Sequence, residues 1–203
     1  QGRRAVAASD GQTTRLVEGV ETTYALALRA IEAGTTLAET VAGLGRGAEI
    51  DPAEAPAGGR ILAPIDHPDP AHLHMTGTGL THLGSAEGRD KMHAKTVDDA
   101  KQTDSMRMFR MGLEGGKPAA GAEGVQPEWF YKGDGTALVG PGAPLTSPAF
   151  ALDGSEEPEL AAIYVNGPDG TPYRLGFTLA NEFSDHVTER QNYLWLAHSK
   201  LRP

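Results

Sequence analysis

The run Glu156-Glu157-Pro158-Glu159 leads into the apolar stretch Leu160 to Val165. In a strand, residues two apart project to one face, so Glu157 and Glu159 would point the same way. Two carboxylates held that close repel unless a cation or a shared proton intervenes. A hard divalent ion such as Mg2+ relieves the repulsion with oxygen ligands, and it keeps waters that a substrate can displace. The competing reading is a solvated acidic loop ahead of an edge strand. A third carboxylate, Glu182, lies in Ala180-Asn181-Glu182-Phe183-Ser184-Asp185-His186, where the fold can return it beside the first pair. In the same stretch Ser184 or Asp185 can cap a helix. Lys132 follows Trp129, Phe130 and Tyr131 and precedes the turn Gly133-Asp134-Gly135. Such a lysine can hold a substrate carboxylate or oxyanion, or it can snorkel at the surface.

Four of the seven histidines fall between residues 67 and 82 and read in two ways. His67, His72 and His74 lack the His-x-x-x-His spacing of a helical zinc site. His82 sits in glycine- and turn-rich sequence, and an imidazole titrating near neutrality there is either a proton shuttle or a hydrogen-bonded loop histidine. Gly77-Thr78-Gly79 has neither a third glycine nor a P-loop lysine, which argues against nucleotide binding.

The elements that must position these groups follow from periodicity and turn chemistry. Arg3 to Ala8 and Thr13 to Val17 read as strands around the hairpin signal Asp10-Gly11. Glu21 to Ala33 reads as a helix closed by Gly34, and Thr36-Leu37-Ala38-Glu39 as a capping box opening a second. Gly45 to Gly59 reads as a connector and the best candidate for a subdomain boundary. Arg60 to Pro64 is expected to be a strand, and roughly Lys91 to Leu113 a helix. After a loop at Lys117 to Gln126, strands are expected at Thr136–Val139, Pro148–Leu152, Glu159–Val165 and Thr171–Arg174, with a final helix from about Asp185 to Leu196.

Composition bounds the possibilities. The chain has 203 residues, with 39% apolar and 22% charged, enough for a packed core. Its 26 glycines and 14 prolines, without collagen-like period, fit many turns between short elements. A net charge of −9 disfavours nucleic acid or an anionic membrane as partner, since no basic patch can neutralise phosphates. The absence of cysteine excludes disulfides, a thiolate zinc site and a cysteine nucleophile. No apolar run reaches the ~20 residues of a membrane span and no signal segment opens the chain, so a cytoplasmic protein is expected.

Three motifs in order resemble the fumarylacetoacetate hydrolase superfamily. Phe130-Tyr131-Lys132 with Ala137-Leu138-Val139-Gly140 is similar to the family's aromatic–lysine segment, whose lysine contacts substrate. Glu157-Pro158-Glu159-Leu160-Ala161 is similar to its paired metal-binding glutamates. Gly176-Phe177-Thr178-Leu179-Ala180-Asn181-Glu182-Phe183-Ser184 resembles the stretch G-Y-T-x-x-N-D-x-S, whose acidic member completes the metal site. The runs from Gly77 to Ala86 and from Asn181 to Tyr193 resemble the sugar-acid branch, the 2-keto-3-deoxyarabonate dehydratase-like proteins. The resemblance implies an α+β fold, a rolled mixed β-sandwich with a small N-terminal α/β subdomain. It divides the chain into an N-terminal part at 1–59 and the start of the catalytic domain at 60–203. Family domains continue past the Lys200 region, so an incomplete domain is expected.

Two departures bear on chemistry. Glu182 stands where the family has Asp, and the extra methylene moves the carboxylate by roughly an ångström. Where hydrolytic members carry N-Y-x-x-H-x-x-E, this chain has Thr81, His82, Ser85 and Gly88, without the water-activating pair. The resemblance therefore implies a homodimeric Mg2+-dependent hydro-lyase (Mn2+ or Ca2+ being possible alternatives) acting on a small 2-oxo acid. Glu157, Glu159 and Glu182 would hold the metal, Lys132 and Lys200 would neutralise a developing oxyanion, and His82 would shuttle a proton. The alternatives are a metal-dependent C–C hydrolase or decarboxylase of acylpyruvate- or oxaloacetate-like acids, and a non-catalytic binding protein.

Overall fold

Turn chemistry sets the first sheet. β1 (Ala7–Ser9) pairs antiparallel with β2 (Thr14–Val17), and β2 pairs antiparallel with β3 (Arg46–Ile50). In the β1–β2 turn, Asp10 Oδ1 accepts the amides of Gln12 and Thr13, and Arg46 Nη1 donates to Oδ2 at 3.1 Å. The Thr13 amide, the Gln12 amide and the Arg46 guanidinium hold this carboxyl down at about 2. The structure is a computed structural model and describes residues 3–54, 61–78, 87, 104–116, 118–125, 128–192 and 195–202.

Residues 46–50 thus form a strand rather than part of a connector. Their polarity hid it: β3 is a sheet edge, where charged side chains are favoured. Arg15 on β2 pairs with Glu49 at 2.8 Å. The helix α1 (Thr23–Ala33) starts two residues later than expected, because Thr22 supplies the cap by accepting from the Ala25 amide. It ends at Gly34, whose φ of 64° favours glycine. The capping box at Thr36 and Glu39 opens α2 (Leu37–Leu44) with both of its hydrogen bonds made. Val17, Val20 and Leu26 form a buried cluster, with Val6, Ala8, Ala25, Leu37, Val41 and Leu44 packed against it. Burying each large aliphatic side chain there contributes about 1.5–3 kcal/mol.

The chain divides into two compact units, each drawn from three separated stretches. One comprises 1–73, 134–146 and 157–182, and the other 74–133, 147–156 and 183–203. In the first unit, residues 61–64 are irregular rather than a strand; Gly140 packs so close to the Ile61 carbonyl that a Cβ there would collide. Thr136–Val139 is likewise not a strand. Asp134 accepts the Thr136 amide at 2.9 Å and starts a 3-10 turn over Gly135–Ala137. The long hairpin β6–β7 extends well beyond the expected segments: β6 runs over Ser155–Asn166 and β7 over Pro172–Ser184. The turn between them is closed by the Gly167 amide donating to the Thr171 carbonyl at 2.8 Å.

In the second unit, β4 (His74–Gly77) pairs with β5 (Phe130–Asp134). The helix α3 covers Asp104–Gly115, overlapping the C-terminal end of the expected Lys91–Leu113 span and running two residues beyond it, and positions 88–103 lie outside the described residues. Pro148–Leu152 is a turn rather than a strand, with the Ala151 amide donating to the Pro148 carbonyl at 3.0 Å. The last helix, α4, is shorter than expected and covers His186–Gln191. The described residues hold four α-helices and three small sheets, a mixed α/β arrangement. No helix among them is long and apolar enough to cross a membrane.

Asp185, not Ser184, caps α4. Its Oδ1 accepts the Thr188 amide at 2.9 Å, and its Oδ2 accepts the Leu152 amide at 2.9 Å and the Thr188 hydroxyl at 2.7 Å. Burial opposes the charge of this carboxylate, but hydrogen bonds from the Thr188 and Leu152 amides, the Thr188 hydroxyl and the Val187 amide outweigh it and lower the pKa. A lowered folded pKa stabilises the protein above the unfolded value of about 3.9, and that contribution is lost as pH falls through the folded value. Asp185→Ala is expected to cost about 2 kcal/mol at pH 7, measured by urea denaturation, with the difference from wild type shrinking below about pH 4.

Candidate metal centre

The alternation of β6 decides where its glutamates point. Glu157, Glu159, Ala161 and Ile163 lie on the more buried face, while Glu156, Pro158, Leu160 and Tyr164 face outward. Pro158, which cannot donate to a ladder, is accommodated in β6, whose partner strand among the described residues is β7 alone. The amide of Glu157 donates to Asn181 Oδ1 at 3.2 Å, which ties the head of β6 to the part of β7 carrying Glu182. Glu157, Glu159 and Glu182 each offer a carboxylate oxygen, and these lie within 4.8 Å of one another. Oε1 of Glu182 is shielded from solvent.

Three carboxylates gathered in this way repel, and a divalent cation is the simplest compensation. An octahedral magnesium ion with bonds of about 2.1 Å spaces its ligand oxygens about 3 Å apart in adjacent positions and about 4 Å apart in opposite ones. The observed separations of up to 4.8 Å are of the same order as that spacing. An all-oxygen donor set carrying three formal negative charges suits hard ions and not soft thiophilic ones. The residues present therefore fit a hard divalent metal.

The second unit holds the lysines. Lys132 lies on β5, and its Nζ is 5.4 Å from the centre of the Phe130 ring. Lys200, far away in sequence, places its Nζ 5.9 Å from the centre of the same ring. Gly77 on the neighbouring strand makes room for this pair, since a Cβ there would collide with both the Phe130 ring and Lys132 Cε. Lys200 itself is only 7% exposed. Its Nζ donates to Glu189 Oε2 at 3.1 Å and to Ser184 Oγ at 3.2 Å. The sequence singles out neither Glu189 nor Ser199, which looks like an ordinary polar residue between His198 and Lys200. The one signal is the helix cap: Glu189 stands four residues after Asp185, and its amide donates to the Asp185 carbonyl at 3.0 Å.

Two of the histidines singled out in the sequence make local contacts. His67 packs edge-on against Tyr24 with ring centres 4.7 Å apart, and His72 pairs with Asp69 at 2.9 Å. His82, with the whole run 79–86, lies outside the described residues.

No protein-family model and no curated protein sequence matches the chain. Its fold, however, is similar to that of solved dehydratase structures. Similar solved structures include 2-keto-3-deoxy-D-arabinonate dehydratase in the apo form (TM-score 0.60), that enzyme complexed with magnesium and 2,5-dioxopentanoate (0.59), and a hexagonal crystal form of 2-keto-3-deoxyarabinonate dehydratase (0.62). Each is 22% identical and matches over 96% of this chain. The chain spans 56% of the length of the first two and 58% of the third. The likeness agrees with the resemblance read from the sequence motifs.

Proposed function

We propose that the protein is a magnesium-dependent hydro-lyase that dehydrates a 2-keto-3-deoxy sugar acid such as 2-keto-3-deoxyarabonate. The observation that carries this reading is the gathering of Glu157, Glu159 and Glu182 within 4.8 Å on a fold shared with such dehydratases. Bound magnesium, held by these three carboxylates, would supply Lewis-acid polarisation of the 2-oxo acid. The protein's own residues carry the other roles. Lys132 and Lys200 are the cations assigned to the negative charge that develops on the substrate as the C3 proton leaves. The electron pair of the C3–H bond forms the C3–C4 double bond, and the C4 hydroxyl departs with a proton as water. His82 is assigned to proton transfer on the sequence alone. A homodimer is supported by the family resemblance, and light scattering would measure its mass.

The test is a panel of 2-oxo acids incubated with the protein and Mg2+ and followed by carbon-13 NMR. Loss of water with every carbon retained is the expected outcome for a 2-keto-3-deoxy pentonate. Release of acetate or CO2 from an acylpyruvate or oxaloacetate would instead establish a hydrolase or decarboxylase. Ligand binding without turnover across the panel would establish a binding protein.

A further inference from the structure

The side chain of Lys200 is long and flexible, yet it is fixed at both ends. Its backbone lies in a short antiparallel bridge with Ser184, flanked by the Asp185 amide donating to the Ser199 carbonyl and the Leu201 amide donating to the Phe183 carbonyl, both at 2.8 Å. Its Nζ is fixed by Ser184 Oγ and by Glu189 Oε2. Both ends of the Lys200–Glu189 pair are withdrawn from water, with side chains 4% and 10% exposed. Ser199 Oγ lies 3.3 Å from Glu189 Oε2 and 2.8 Å from the Leu196 carbonyl, so its single proton serves one of them at a time. Glu189 is itself seated by α4, whose cap is Asp185. A salt bridge this buried contributes little net stability against an apolar alternative, because desolvation of both charges offsets their attraction. Its geometric effect is larger: it selects one placement of an ammonium that otherwise has several rotamers.

We propose that Glu189 is a positioning residue that acts through Lys200, holding its ammonium group where the reaction needs a cation. The inference rests on the proposed function for the role of Lys200, but the holding itself rests on the contacts above. A misplacement of about 1 Å in a reacting or charge-stabilising group costs up to about a hundredfold in rate.

The experiment is a kinetic double-mutant cycle in the whole protein with Mg2+ and the 2-oxo acid that it turns over. Glu189→Gln preserves shape and hydrogen-bonding capacity but removes the anion facing the buried ammonium, so circular dichroism first confirms that each variant is folded at the assay temperature. The substitution is expected to lower kcat about tenfold to a hundredfold with KM changed less than about twofold. In a Lys200→Gln background the same substitution is expected to have no further effect. An unchanged kcat, or an equal fall in both backgrounds, would overturn the proposal. Nitrogen-15 NMR of the Lys200 ammonium gives a readout without turnover. Its proton exchange is expected to accelerate at least tenfold in Glu189→Gln, and unchanged exchange would also overturn the proposal. If the wild-type protein dehydrates nothing in the panel, the proposed function fails, and the NMR result alone decides whether Glu189 holds Lys200.

Discussion

Glu157→Gln and Glu159→Gln are each expected to weaken Mg2+ binding, measured by titration calorimetry, by more than about a hundredfold, the upper end of what losing even an outer-shell partner costs. Each substitution removes one of three negative charges and replaces an anionic oxygen with a neutral amide that a hard cation takes poorly. Glu182→Asp keeps the charge and is expected to retain binding, whereas Glu182→Gln is expected to lose it. Glu156→Gln is the control. Glu156 faces the opposite side of the same strand, so its substitution should leave the affinity unchanged. Unchanged Mg2+ affinity in both Glu157→Gln and Glu159→Gln would remove the metal centre from the account.

The second large effect concerns folding. Lys200→Ala is expected to destabilise the protein by about 3–5 kcal/mol, because it leaves the Glu189 carboxylate buried without its cation. Replacing both members with apolar residues of similar volume, Lys200→Met with Glu189→Leu, is expected to recover most of that loss. The midpoint of urea unfolding at pH 7 measures both. A Lys200→Ala protein within about 0.5 kcal/mol of wild type would mean that the pair is solvated rather than buried.

These groups differ in how far the sequence could foresee them. Glu157 and Glu159 were legible because a strand imposes a period of two, and the apolar run after them announced the strand. Glu182 was legible only through its surrounding motif, since no local rule states which residue of β7 returns beside β6. Asp10-Gly11, Gly34 and the Thr36–Glu39 box were read correctly because caps and tight turns are settled within four residues. Sequence pattern and structure part where tertiary context decides. Arg46–Ile50 is polar and still a strand, because a neighbouring strand offers charge partners. Thr136–Val139 is β-branched and apolar and still not one, because Asp134 captures the Thr136 amide. Glu189 was invisible for the same reason: its partner lies eleven residues away across a helix and a turn.

The interleaving of the two units has a consequence for how the chain acquires its structure. The first unit includes residues up to 182 and the second returns at 183, so neither is complete while much of the chain is still being made. During synthesis, the N-terminal sheet and its two helices can form early from nearby sequence, whereas the hairpin bearing the carboxylates follows only from Ser155 on. Until then, the apolar side chains of both units wait for partners from distant sequence, which is when chains aggregate or need a chaperone. Lowering the expression temperature is therefore expected to raise the soluble yield.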